Sequence, residues 1–154
     1  MREADRPEPG RRRLLTGGLA AVGLALVPRE VIATPTEAEA AIRDVFGDRL
    51  VKPGRVTLSI PPISENGYSV PLTVEADSPM TAEDHVSRIL VFAEANPLPD
   101  VARFELGPRA GRARIQTRSR LGGTQKIRAI AEMSDGSLWG TEAFSIVTLA
   151  ACVV

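Results

Sequence analysis

Between Arg55 and Leu149 the chain carries seven short runs, most of them alternating apolar and polar side chains, and few folds accept such a pattern. In "RVTLSI", Val56, Leu58 and Ile60 alternate with Arg55, Thr57 and Ser59. In "YSVPLTVE", Tyr68, Val70, Leu72 and Val74 form the apolar set, and Pro71 on the opposite set predicts an edge strand, since proline cannot donate to a ladder. "SRILVFAE" is apolar on both faces, the mark of a more central strand. "ARFEL", "RARIQTRS", "QKIRAIAEMS" and "LWGTEAFSIVTL" complete the set, the last two joined through Ser134-Asp135-Gly136-Ser137 as a hairpin. Phe92, Phe104, Trp139 and Phe144 fall on the alternation and are expected in the core. Strands of this length, separated by Gly, Pro, Asn and Asp turns, predict an all-β fold: an immunoglobulin-like antiparallel β-sandwich. No cysteine pair of the immunoglobulin type is present, so the likeness concerns architecture only.

One short helix precedes the strands. In "PTEAEAAIRDVFG", Thr36 and Glu39 have capping-box spacing, Ala38, Ile42 and Val45 share a face, and Gly47 offers a stop. Upstream, "GRRRLLTGGLAAVGLALVPREVIA" reads as an export signal. Arg11, Arg12 and Arg13 precede a 14-residue apolar segment, Leu14–Val27, which is short of the ~20 residues needed to span a bilayer. Paired arginines before a weakly hydrophobic segment suggest the twin-arginine route. The expected division is a signal over 1–33, a sandwich over 34–148 and a C-terminal arm over 149–154. From residue 34 onward, 13 Lys/Arg face 15 Asp/Glu, a net of −2, which makes no electrostatic case for nucleic acid or an anionic membrane.

Catalytic and metal chemistry find little material. His85 is the only histidine and Cys152 the only cysteine, so the three or four N/S ligands of a zinc site are missing. His85, Glu83 and Asp84 lie in a polar stretch and read as loop residues. "LGGTQK" lacks the spacing of a phosphate-cradling loop. Arg112, Arg114 and Arg118 share a strand face that Arg120 can continue. That stripe is either a solvated face or a local positive field for an acidic partner or an anionic group.

Cys152 is the residue that asks for a function. An odd cysteine in an exporting chain is flagged for intermolecular pairing or for reactivity. It follows Ala150-Ala151 and precedes Val153-Val154, beyond the last predicted strand, and a thiol on a tether has the geometry of a carrier.

The residues also resemble a known family. Glu65-Asn66-Gly67 with Ser69-Val70-Pro71, the Ser78-Pro79-Met80 step, Phe92-Ala93-Glu94 with Asn96-Pro97, and Ala131-Glu132-Met133-Ser134-Asp135-Gly136 look like SoxY, the Y-type carrier subunit of sulfur oxidation. That resemblance implies a periplasmic, non-catalytic subunit with no cofactor other than covalent sulfur cargo. It implies attachment at Cys152 on a swinging arm of Ala150, Ala151, Val153 and Val154. Implied partners are a SoxZ-like β-sandwich subunit and, transiently, a c-type cytochrome and a sulfate-releasing hydrolase. The family's arm is Gly-Gly-Cys-Gly-Gly, whereas alanine and β-branched valine here remove backbone freedom. The arm therefore resembles SoxY-related paralogues with an Ala-Ala-Cys arm, and a cargo other than thiosulfate stands beside the thiosulfate-derived one. The competing expectation is an exported sandwich whose cysteine forms an intermolecular disulfide.

Overall fold

The computed structural model describes residues 34–151. The expected signal over 1–33, and Cys152, Val153 and Val154, lie outside the described residues.

Helix α1 spans Pro35–Phe46 and is followed by nine strand segments: β1 (Val51–Pro53), β2 (Val56–Ser59), β3 (Ile63–Ser64), β4 (Val70–Ala76), β5 (Val86–Ala93), β6 (Asp100–Glu105), β7 (Arg114–Ser119), β8 (Gln125–Met133) and β9 (Leu138–Val147). All seven predicted strands are present. The larger sheet runs β1-β9-β8-β5-β6 with β3 also on β9, and the smaller runs β2-β4-β7. The fold is a mostly-β sandwich with one short helix.

The β8–β9 hairpin closes as expected. Gly136, at φ +80°, takes a backbone conformation that favours glycine, and Met133 N–H donates to the Ser137 carbonyl at 2.9 Å. Two details depart from the antiparallel expectation. β1 and β3 pair parallel to β9, at its two ends (Val51↔Leu138, Ile63↔Ile146), and together cover an edge that would otherwise be open. With three and two residues, neither is long enough to show a period. Pro71 is the second departure, because β4 is the middle strand of its sheet, not an edge. Proline is tolerated there because β2 pairs only with Thr73–Ala76, which leaves one side of β4 open at Pro71.

The core has two layers. Val70, Leu72 and Val74 from β4 face Ile89, Val91, Ile127 and Ala129 across the sandwich. On the other face of the large sheet, Ile42 and Phe46 of α1 cover Leu90, Phe92, Ile130 and Leu138. This second layer explains why β5 is apolar on both faces. It also corrects the aromatic expectation. Phe92 is buried and Phe104 and Trp139 are half-buried, but Phe144 is 57% exposed. It shares its face with Leu138, beyond the end of the sheet that α1 covers, where Ile146 and its neighbour Ile63 are also exposed.

The helix cap sits two residues earlier than the spacing suggested. Thr34, not Thr36, caps α1: Glu37 N–H donates to Thr34 Oγ1, and Glu37 accepts from Thr34 N–H. Pro35 at the first helical position suits that start, and Glu39 is free to pair with Arg128 instead. The buried face is Ala38, Ile42 and Phe46, with Val45 only partly covered.

α1 is further tied to the sheet by Glu132, which accepts from Arg49 Nη1 at 2.6 Å and from Arg88, while Arg49 also donates to the Phe46 carbonyl. Burial opposes ionisation of Glu132, but the two guanidinium groups outweigh it and hold the carboxyl below the usual range. Because the folded value lies below the unfolded one, its stabilisation is present above about pH 4.5 and is lost as pH falls through the lower folded value. We predict that Glu132→Gln flattens the acid branch of a stability–pH curve by ~1 kcal/mol between pH 6 and 3, a modest figure because Arg49 is partly solvated. Urea melts across that range check it; parallel curves for the two proteins would refute it.

Candidate functional site

Three loops meet where β9 ends, and their backbone groups tie down the segment leading to Cys152. Thr148 N–H donates to the Ser64 carbonyl at 3.1 Å, and its hydroxyl to the Glu65 carbonyl at 2.8 Å. Gly67 N–H donates to the Leu149 carbonyl at 2.8 Å, and Leu121 N–H to the Gly67 carbonyl at 2.8 Å. Ala151 N–H then donates to the Leu121 carbonyl at 3.1 Å. Strand pairing ends at Val147, and the segment beyond it is held to the body through Ala151.

Gly67 is required here for space. A Cβ on it would lie 2.4 Å from the Leu121 carbonyl oxygen, 3.0 Å from Val147 and 3.1 Å from the Ala151 nitrogen. Both of its backbone groups are committed, one to each neighbouring loop.

The loop that receives Ala151 is fixed from beneath. Asn96, buried at the end of β5, donates to the Arg120 carbonyl at 2.9 Å and accepts from Gly122 N–H at 2.7 Å and Gln125 Nε2 at 3.0 Å. Gln125 in turn accepts from Ala95 N–H at 2.7 Å. Thr124 Oγ1 accepts from Val147 N–H at 3.0 Å and donates back to the Val147 carbonyl. Buried amides with their hydrogen bonds met hold one geometry, since every alternative leaves a polar group unpaired.

The predicted arginine stripe divides on inspection. Arg112 lies before β7 starts, and Arg114 pairs with Glu75 at 3.5 Å. Arg118 and Arg120 have no ion-pair partner among the described residues. Arg118 Nε donates to Ser69 Oγ at 2.7 Å, and Nη2 to the Ser69 carbonyl, which sets a free positive charge beside the Gly67 turn.

His85 accepts a loop role. Its Nδ1 lies 3.0 Å from the Thr81 carbonyl, and its backbone is hydrogen-bonded with Ser134. Asp84 pairs with Arg55 at 3.6 Å. His85 adjoins Val86, whose partner is Met133 at the far end of β8 from Gln125. Eight residue steps along β8, about 26 Å, separate that end from Gln125, so His85 lies toward the opposite end of the strand from the arm root. No group of three or more His, Cys, Asp or Glu side chains able to hold a metal occurs among the described residues.

A separate cleft of about 510 Å³ between α1 and β9 is lined by Glu39, Ile42, Val51, Lys52, Arg128 and Glu142. Burial works against the charge of Arg128, but the carboxylates of Glu39, Glu94 and Glu142 more than offset it and raise its pKa further. That guanidinium is committed to its three carboxylates, which identifies it as a structural group.

The family model described as sulfur oxidation protein SoxY matches residues 42–152. The structure of the sulfur carrier protein SoxY from Chlorobium limicola f thiosulfatophilum is similar at 27% identity and a TM-score of 0.62, covering 74% of this chain and 98% of that one. Superoxide reductase (neelaredoxin) from Ignicoccus hospitalis is similar at 17% identity and a TM-score of 0.54, covering 77% of this chain and 96% of that one. Superoxide reductase from Nanoarchaeum equitans is similar at 19% identity and a TM-score of 0.52, covering 62% and 99%. At those identities the reductases share the sandwich and nothing more is inferred from them. No curated protein matches the chain.

Proposed function

The chain belongs to the SoxY family of sulfur oxidation proteins, and on that premise we propose that it carries a sulfur intermediate covalently on Cys152 and presents it to sulfur-oxidation enzymes. The observation that carries this reading is the position of Cys152. It is the only cysteine, it closes the matched span 42–152, and it directly follows Ala151, whose N–H is held by the Leu121 carbonyl. The anchor at Ala151 fixes the point to which the thiol of the next residue is tethered.

The protein's contribution on this reading is presentation, not catalysis: it holds the adduct and leaves the chemistry to the enzymes that receive it. The family supports a SoxZ-like sandwich subunit as the standing partner and a periplasmic location reached through the signal at residues 1–33. A c-type cytochrome and a sulfate-releasing hydrolase are the transient partners the reading requires. A thiosulfate-derived group is the first cargo to test, and Ala150-Ala151 with Val153-Val154 in place of glycines makes a different sulfur species the alternative. The rival reading, an intermolecular disulfide through Cys152, predicts a covalent dimer in place of an adduct.

Intact mass spectrometry of protein isolated from the native periplasm without reductant decides between them. A monomer carrying added mass that reductant removes is the expected result, and the increment names the cargo. A bare monomer, or a disulfide dimer, from cells growing on reduced sulfur compounds would refute the proposal.

A further inference from the structure

We infer that Arg118 and Arg120 form a cationic subsite at the root of the arm that binds the anionic end of a group carried on Cys152. The inference rests on the carrier reading for its ligand, but its geometry comes from the described residues. Arg118 lies near the end of β7 and Arg120 one residue beyond it, and both side chains are exposed. Arg120 immediately precedes Leu121, whose carbonyl accepts from Ala151 N–H. Arg118 is bound to Ser69, two residues beyond Gly67, which holds Leu149. Each of the two contacts that pin the arm thus has one of these arginines near it in the chain or hydrogen-bonded to its loop.

Cys152 follows Ala151 directly in the chain, and Ala151 is held by Leu121, the neighbour of Arg120. The two guanidinium groups border a depression of about 410 Å³ lined also by Asn96, Pro97, Asp100 and Ser119. Its one carboxylate, Asp100, is engaged by Arg103 at 3.0 Å. Arg114, on the same strand face, is compensated by Glu75, so the free positive charge of the stripe is concentrated at the end nearest the arm. Planar guanidinium donors match oxyanions such as sulfonate and carboxylate, and near protein surface they hold them more firmly than water does.

Disulfide probes of opposite charge character test this. The Cys152 thiolate attacks one sulfur of the probe, a new S–S bond forms, and the other half leaves as a thiolate or thione with the bonding electron pair. The ratio of its rates with dianionic 5,5′-dithiobis(2-nitrobenzoate) and neutral 2,2′-dithiodipyridine cancels the thiolate fraction. That ratio is expected to fall about fivefold in Arg118→Gln/Arg120→Gln and to lose most of its salt dependence, while Arg118→Lys/Arg120→Lys retains most of it. In addition, a 2-mercaptoethanesulfonate mixed disulfide on Cys152, but not a 2-mercaptoethanol one, should shift the Arg118 Nε–H resonance. An unchanged ratio, or identical shifts from both adducts, overturns the subsite. Failure here with loaded Cys152 in cells sinks the subsite alone; the expected fall in the ratio with no adduct in cells sinks the carrier reading alone.

Discussion

Gly67→Ala is expected to destabilise the protein by about 2–3 kcal/mol and to release the segment that precedes Cys152. The added methyl would sit 2.4 Å from the Leu121 carbonyl oxygen and 3.1 Å from the Ala151 nitrogen, both backbone atoms that no rotamer change can move aside. Overpacking of this kind costs roughly 1–3 kcal/mol, and here it also strains the Gly67–Leu149 and Leu121–Ala151 hydrogen bonds. For a domain of this size the melting temperature should drop by about 10 °C. Amide exchange separates local from global effects. Ala151 and Leu121 should lose protection in the variant under conditions where the β5 and β8 amides keep theirs. A variant with unchanged stability and unchanged protection at Ala151 would show that the clamp does not form.

Cys152→Ser is expected to abolish adduct formation completely, with the stability unchanged to within ~0.5 kcal/mol. An oxygen in place of the sulfur keeps the size of the side chain and removes the nucleophile, because a serine hydroxyl stays protonated where a thiol is partly thiolate. The hydrogen bonds described at the arm root are made by Thr148, Leu149 and Ala151. The variant should melt with the unmodified protein, bind the same standing partner, and fail in sulfur oxidation. Retention of the added mass in Cys152→Ser would place the cargo elsewhere. A large loss of stability would mean that the residue works as packing, and the intermolecular disulfide and carrier readings would both lose their support.

Gly67→Ala and Cys152→Ser probe different links. The first leaves the chemistry intact and changes where the thiol emerges; the second leaves the geometry intact and removes the chemistry. If presentation matters, Gly67→Ala should still react with small disulfide probes and yet lose transfer to the receiving enzymes, under conditions where it is folded.

Period-two alternation, the turn residues between the runs and the hairpin at Asp135-Gly136 were enough to predict a sandwich, because side-chain direction in a strand is a local property of the backbone. Cys152 stood out for an equally local reason: it is the one thiol, placed after the last strand. The arginine stripe was visible as a pattern of charges, but not which of its members would find a carboxylate. What covers each face was not. Leu138 and Phe144 lie on one face of β9, and α1 buries the first while the second is left exposed; alternation says which residues share a face and nothing about what packs on it. The middle position of β4, the parallel strands on β9 and the pairing that singles out Arg118 and Arg120 all depend on partners far away in sequence. So does the clamp. Gly67 and Asn96 carried part of the family likeness and Leu121 and Gln125 none, but their role in the clamp arises only when folding brings three loops together over the end of the last strand.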